Sequence, residues 1–332
     1  MKKKSLVTGG AGFIGSHVAE ELLKRGHYVV VVDDLSGGFL DNIPKGAEFV
    51  QASVNDHTLI NSLFEKNSFD YVYHLAAYAA EGLSHFIKRF NYENNLLGTV
   101  NLINAAVNFE IKCFVFTSSI AVYGTNQLPM NENTQPLPED SYGIAKYAAE
   151  LELKGCHEIF GLSHIIFRPH NVYGTRQNIG DKYRNVIGIF INQLMTGQPM
   201  TIFGNGEQSR AFSYIEDVAP VIAASVDYPN AYNQIFNVGA DTPYTVNYLA
   251  EVVAKVMGVL CETRHLEARK EVKDAYSSHV KAEQIFGVPK KTSLEDGVRK
   301  MVDWAVKAGP RKSKEFGNIE IRKNLPQSWI SR

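Results

Sequence analysis

Tyr142 and Lys146 stand at i and i+4 in "EDSYGIAKYAAELEL". A helix starting near Ser141 therefore puts both on one face. A tyrosine titrates near ~10 and is a poor base at neutral pH. A neighbouring ammonium and a cationic ring would each favour the phenolate. The pair can then act as a general base on a hydroxyl proton. A bare Tyr-x-x-x-Lys also arises on solvated helix faces, so its meaning depends on what surrounds it. Upstream, "FTSSIAVYG" carries three adjacent hydroxyls, Thr117, Ser118 and Ser119, at the end of an apolar run. Ile120 and Ala121 follow, and neither can transfer a proton.

Nearer the start, "VTGGAGFIGSH" sets Gly9, Gly12 and Gly15 after a first strand and at the start of a helix. Such a turn lets backbone approach a pyrophosphate, and the helix start offers N–H donors and a positive dipole end. The spacing is Gly-x-x-Gly-x-x-Gly rather than the usual Gly-x-Gly-x-x-Gly of dinucleotide sites. The next strand, "YVVVVDD", ends in Asp33, near the ~20-residue offset of an acid that grips adenosine ribose hydroxyls. An acid there repels a 2′-phosphate, and no Arg follows in "DDLSGG", so NAD is expected rather than NADP. "HLAA", residues 74–77, ends a later strand in small residues, Ala76 and Ala77, which allow close approach of a cofactor.

The elements that must position these groups alternate in period over the first 170 residues. "SLVTG", "YVVVVD", "AEFVQA", "DYVYHLA", "KCFVFTS" and "SHIIFRP" read as strands. "GSHVAEELLKRG", with Gly26 as a stop, and "LLGTVNLINAAVNF" read as helices. This alternation predicts an α/β fold, a Rossmann-like doubly wound parallel sheet. Beyond residue 170 "RQNIGDKYRN" reads as a polar loop and "IFNVGA" as a strand. "TVNYLAEVVAKVMG" and "SLEDGVRKMVDWAVKAG" read as helices, the second capped by Ser293. The basic tail after Pro310 reads as a solvated end.

A net charge of −1 with 21% charged residues points away from nucleic acid. No run reaches membrane-spanning length, and "MKKKSLVTGG" lacks the apolar core of a signal peptide. Cys113, Cys156 and Cys261 lack metal or disulfide spacing and suit a reducing, cytoplasmic setting as small buried residues. Ten histidines are scattered with no His-x-x-x-His pair, so no metal site is expected.

Together, "TGGAGFIG", "HLAA", "NNLLGT", "SSIAVYG", "YGIAK", "RPHNVYG" and "QSRAFSYIEDVA" make the chain resemble the extended short-chain dehydrogenase/reductase family over nearly its whole length. Within it, the nucleotide-sugar 4-epimerases of the UDP-galactose 4-epimerase type are most similar. The resemblance implies catalytic roles for Ser119, Tyr142 and Lys146. It implies NAD contacts at Gly9, Gly12, Phe13, Ile14, Gly15, Asp33, Asp34, Ser36, Gly37, Ser53, Val54, Leu75, Ala76, Ala77 and Pro169. Tyr142 and Lys146 share in these contacts, and Asn95 helps hold the arrangement. It implies sugar-nucleotide contacts at Ser119, Tyr142, Asn171, Asn185, Val186, Phe203, Arg210, Arg269 and Ala275, the two arginines forking a diphosphate. An NAD-binding domain of residues 1–170 plus about 211–240, a smaller mixed sugar-nucleotide domain of 171–210 plus 241–332, and a homodimer built on helices near 91–108 and 142–158 also follow from it. The chain departs from the pattern at Ser53, where the family usually has an acid, at Ala211, and at Ala79, where some epimerases have a lysine near the cofactor.

The same resemblance implies an isomerase that oxidises a UDP-sugar at C4, rotates the keto sugar and reduces it again. Related 4,6-dehydratases, decarboxylases and 3,5-epimerases carry acids, bases or a cysteine where this chain has Ile120 and Ala121. Related uronate 4-epimerases tend to have Thr and Arg where Asn171 and Asn178 stand here. Ala275 would leave room for an N-acetyl group, so UDP-GlcNAc/UDP-GalNAc is expected beside UDP-Glc/UDP-Gal. A UDP-uronate 4-epimerase, a nucleotide-sugar dehydratase or reductase, and a non-catalytic NAD-binding regulator are the alternatives.

Overall fold

The computed structural model describes residues 2–268, 272–288, 291–311, 316–326 and Trp329. Seven strands carry the fold: β1 Lys4–Thr8, β2 Tyr28–Asp33, β3 Glu48–Gln51, β4 Tyr71–His74, β5 Cys113–Thr117, β6 His164–Pro169 and β7 Gln234–Val238. They form one parallel sheet in the order β7-β6-β5-β4-β1-β2-β3. Each strand coincides with a run picked out by β-branched and aromatic content. Val29 to Val32 are fully buried, as strands covered on both faces must be. The strand order reverses between β1 and β4. A crevice opens at such a switch point, beyond the carboxyl ends of the strands.

The helix Phe13–Lys24 follows β1, and Gly26 ends it at φ 82°, a conformation glycine adopts without steric cost. Lys88–Tyr92, a π-helical turn Glu93–Leu97, and Gly98–Asn108 run on from one another. The long helix Ser141–Phe160 packs beside them. Its start is fixed by Asp140, whose Oδ1 accepts from the Gly143 N–H at 2.8 Å.

The second half adds small sheets. Ser209–Ala211 lies between antiparallel Pro243–Thr245 and parallel Asp274–Ala275. Met200–Phe203 pairs with Thr263–Leu266, and Val172–Tyr173 with Ser213–Tyr214. Helices Val186–Met195, Val246–Met257 and Leu294–Ala308 pack around them. Ser293 caps the last of these, its hydroxyl accepting from the Asp296 N–H at 3.1 Å. Among the described residues no helix is long and apolar enough to cross a membrane.

Two expectations are corrected. Of the cysteines, only Cys113 is buried; Cys156 is half-buried and Cys261 exposed. The tail after Pro310 is not simply solvated. Phe316, Ile319, Leu325 and Trp329 join Ala80, Leu83 and Ile87 in a separate apolar cluster. The Glu320 carboxylate accepts from the N–H groups of Arg89 and Phe90 at 2.8 and 2.9 Å. The basic residues between masked the few aromatics that carry the packing.

Candidate active site

A cleft of about 560 Å³ opens across the carboxyl ends of β1, β2, β4, β5 and β6. At one end the glycine turn is shaped by contact. A Cβ on Gly9, at φ 68°, would lie 2.7 Å from the Ala76 nitrogen, and one on Gly15 would lie 2.1 Å from the Gly9 carbonyl oxygen. Gly9 is thus fixed by the approach of β4's end, and Gly15 by helix–turn packing. Gly12 caps the first helix without a side-chain bond, so the helix start keeps N–H donors for an anion. Asp33 is buried and accepts from the Ala11 and Leu35 N–H groups at 3.1 and 2.8 Å. Burial pushes its carboxyl up, and these backbone donors oppose the shift. This cradle and its acid fit a dinucleotide.

His74 accounts for the first letter of "HLAA". Its Nδ1 meets Thr8 Oγ1 at 2.7 Å and its Nε2 meets Thr99 Oγ1 at 2.8 Å. Thr8 Oγ1 also accepts from the Ala76 N–H at 3.3 Å. Burial holds the imidazole neutral, its pKa well below the ordinary value. The ring ties β1, β4 and a helix together and sets where Ala76 stands.

At the centre, Ser119 caps a short turn, Ile120–Tyr123, and its Oγ accepts from the Ala121 N–H at 3.1 Å. The Ser119 hydroxyl also stands close enough to Tyr142 to favour the phenolate. Burial dominates, however, and with the nearby Glu81 carboxylate it pushes the Tyr142 phenol well up. Lys146 Nζ donates to the Thr117 carbonyl at 2.8 Å and stands 4.7 Å from the Phe116 ring centre and 5.9 Å from that of Tyr142. Burial lowers its pKa from 10.5 to about 7. Beneath this group, Ser118 Oγ donates to Glu150 Oε1 at 2.5 Å, and Glu150 forms a two-point pair with Arg168 at 2.9 and 2.5 Å. All three are buried. The Arg168 guanidinium also lies 4.7 Å over the Tyr123 ring. Ser118, which the sequence leaves without a role, anchors β5 to the helix that carries Tyr142 and Lys146.

Most of the residues singled out from the sequence stand on the cleft wall. Asn171, Asn185, Val186, Phe203 and Arg210 line its far end. Asn171 and Asn185 adopt φ of 42° and 65°, which asparagine tolerates better than most residues. Asn185 Nδ2 donates to the Val172 carbonyl at 2.7 Å. The Arg210 guanidinium donates to the carbonyls of Ser209, Lys273 and Val272 at 2.8, 2.7 and 2.5 Å. Ser53, Asn95 and Ala275 are not on the wall. The Ser53 hydroxyl turns back to accept from the Asn55 N–H at 3.2 Å. Asn95 is fully buried and works through its neighbours: its Oδ1 accepts from the Tyr78 N–H at 2.8 Å, and its Nδ2 donates to Asn91 Oδ1 at 2.7 Å. Asn91 Nδ2 donates in turn to the Ser141 carbonyl at 2.7 Å. Ala275 pairs with Arg210 in a small sheet, and Arg210 and Val272 form the wall there. Arg269 lies outside the described residues.

Ile120 is not on the wall either; it packs into a satellite core with Val122, Tyr123 and Met130. The wall also holds residues the sequence reading passed over: Tyr78, Glu81, His85 and Arg184. Glu81 and His85 share helical spacing in "EGLSH", and Arg184 stands next to last in the polar loop "RQNIGDKYRN". Those were the available signals, and both are weak.

Residues 5–239 match the NAD dependent epimerase/dehydratase family. The chain belongs to that family. The UDP-glucose 4-epimerase of Thermotoga maritima, solved with UDP-glucose, is 33% identical and superposes with a TM-score of 0.88, over 92% of this chain and 99% of that one. The UDP-N-acetylglucosamine 4-epimerase of Methanobrevibacter ruminantium M1, solved with UDP-N-acetylmuramic acid, is 32% identical with a TM-score of 0.86, over 93% and 100%. The UDP-glucuronate 4-epimerase of Thermodesulfobacterium geofontis is 30% identical over 332 residues, covering 96% of this chain and 98% of its own. The chain is thus an enzyme of an NAD-dependent epimerase family with a Rossmann-like sheet and an added C-terminal part.

Proposed function

We propose that the protein is an NAD-dependent UDP-sugar 4-epimerase acting on neutral sugars, UDP-Glc/UDP-Gal and UDP-GlcNAc/UDP-GalNAc. One observation carries the reading: the Ser119–Tyr142–Lys146 group and the glycine turn with Asp33 face one cleft, continuous with a second end lined by Asn171, Asn185 and Arg210. Gly9, Gly12, Gly15 and Asp33 would hold the dinucleotide, and Arg210 the sugar diphosphate. When bound, the nicotinamide supplies the reversible two-electron oxidation at C4. Tyr142 takes the proton from the C4 hydroxyl and returns it to the same oxygen once the sugar has turned its other face to the nicotinamide site. Ser119 donates to the phenolate oxygen and shares its load. Lys146, in its ammonium form, favours the phenolate from below. Asn171 and Asn178 give the sugar end no charge, which favours a neutral hexose over a uronate.

Ile120, packed in a small core, and Ala121 both lack a proton-transferring group, which favours epimerisation over elimination. The division into residues 1–170 plus about 211–240 for NAD and the remainder for the sugar nucleotide is part of the reading. So is a homodimer: Leu97, Ile144, Leu151 and Ile159 stand 54, 43, 51 and 74% exposed on neighbouring helices, an apolar surface suited to a partner. Sedimentation tests it. A cytoplasmic setting is proposed on the unpaired cysteines. The functional test is incubation with UDP-, GDP- and dTDP-sugars without added cofactor, with separation of products. Interconversion of the neutral UDP-sugar pairs is expected; exclusive turnover of uronates or of another nucleotide would overturn the assignment.

A further inference from the structure

Arg184 is the cation the sequence reading left out, and the sheet order makes its position informative. In that order β1 lies between β2 and β4, so anything that touches the ends of both β2 and β4 spans the glycine turn that follows β1. Arg184 does this. Its guanidinium carbon lies 4.7 Å over the ring of Tyr78, just beyond β4. Its Nη2 stands 3.1 Å from where a Cβ on Gly37 would be, just beyond β2. Nε donates to Asp181 Oδ2 at 2.7 Å, and the side chain is 23% exposed. Among the described residues neither terminal nitrogen has a hydrogen-bond partner. Both remain for an oxyanion, in the forked geometry that suits phosphate oxygens.

Charge accounting agrees. The cleft serves two diphosphates, one from each nucleotide. Among the described residues its wall offers Lys146, Arg184 and Arg210 as lysine and arginine side chains. Lys146 is committed to the Thr117 carbonyl beside Tyr142, and Arg210 stands at the sugar end. Ala79, beside Tyr78, puts no charge on the β4 side. Arg184 is left for the anion lying over the glycine turn.

We propose that Arg184 is a clasp on the dinucleotide diphosphate, reaching over it from the sugar-side loop. The C-terminal segment braces the clasp. The Tyr183 ring meets that of Trp329 at 5.4 Å, and Tyr78 meets Phe316 at 5.5 Å. This rests on the NAD-binding reading of the cleft but not on the identity of the sugar.

The test compares the wild-type chain with Arg184→Ala and Arg184→Lys. It measures NAD carried through purification, the affinity for added NAD+, and the affinity for UDP by calorimetry. Arg184→Ala is expected to weaken NAD binding roughly 10- to 100-fold, the scale of a charged hydrogen bond. UDP affinity should stay within about twofold. Arg184→Lys should recover part of the NAD affinity, which excludes misfolding as the cause. The clasp is refuted if NAD affinity is unchanged, or if the loss falls on UDP or on preference for a uronate. If no sugar is epimerised yet Arg184→Ala still sheds NAD, the clasp stands and the proposed function fails.

Discussion

The floor and the rim of the cleft are held by different forces. On the floor, Ser118, Glu150 and Arg168 form a buried charged network under Thr117 and Lys146. Each member bonds another, with only Arg168 Nη1 left over among its nitrogens, and removing Glu150 or Arg168 leaves a charge in a low dielectric. At the rim, Tyr78, Tyr183, Arg184, Phe316 and Trp329 meet ring to ring or cation to ring. Such contacts tolerate partial loss. The floor therefore fixes catalytic geometry, while the rim governs what is retained. Substitutions should divide along that line.

The largest effect belongs to the floor's reacting group. Tyr142→Phe should lower kcat by about 10²–10⁴ with the melting temperature nearly unchanged; steady-state rates beside a thermal melt check it. Glu150→Ala should cost about 3–5 kcal/mol in denaturant unfolding, because Arg168 is left buried without its partner. Rim charge costs less: Asp181→Asn, which keeps an acceptor for the Tyr183 N–H beside the partly exposed Arg184, should cost about 1–2 kcal/mol.

Lys146→Met separates function from stability within the floor. It should abolish turnover yet stabilise the cofactor-free protein by about 1–4 kcal/mol. The sign follows from a folded-state pKa of about 7 against an ordinary 10.5. Between those values the folded chain binds fewer protons than the unfolded one, so wild-type stability rises with pH. The gain from Met should be largest below pH 7 and shrink toward pH 10.5, which unfolding curves across that range would reveal. Smallest on stability is Trp329→Ala. It should leave the main unfolding transition within about 1 kcal/mol, since the C-terminal segment opens locally, while NAD retention during gel filtration falls.

Much of the floor was legible in the sequence. Strand runs such as "YVVVVD" and the Tyr142/Lys146 spacing report local periodicity, and local periodicity survives folding. Asp33 and the glycine turn were legible for the same reason, being tied to a strand end and a helix start. The rim was not. Arg184 reaches Tyr78 and Gly37 across more than a hundred residues of chain, and no spacing encodes that. Trp329 and Phe316 were hidden among lysines and arginines whose charge suggested solvent. Ala275 was singled out for the sugar, and strand pairing sets it beside Arg210, whose side chain lines the cleft there. Ser118 and His74 looked incidental because their partners, Glu150 and Thr99, lie 32 and 25 residues away.

The central claim is that the hydrogen at C4 leaves and returns while only Tyr142 moves a solvent-exchangeable proton. Epimerisation of UDP-glucose or UDP-GlcNAc in D2O, followed by mass spectrometry of the product, tests it directly. The account predicts a 4-epimer with no deuterium on any ring carbon. Deuterium at C5, or a 4-keto-6-deoxy product, would contradict it.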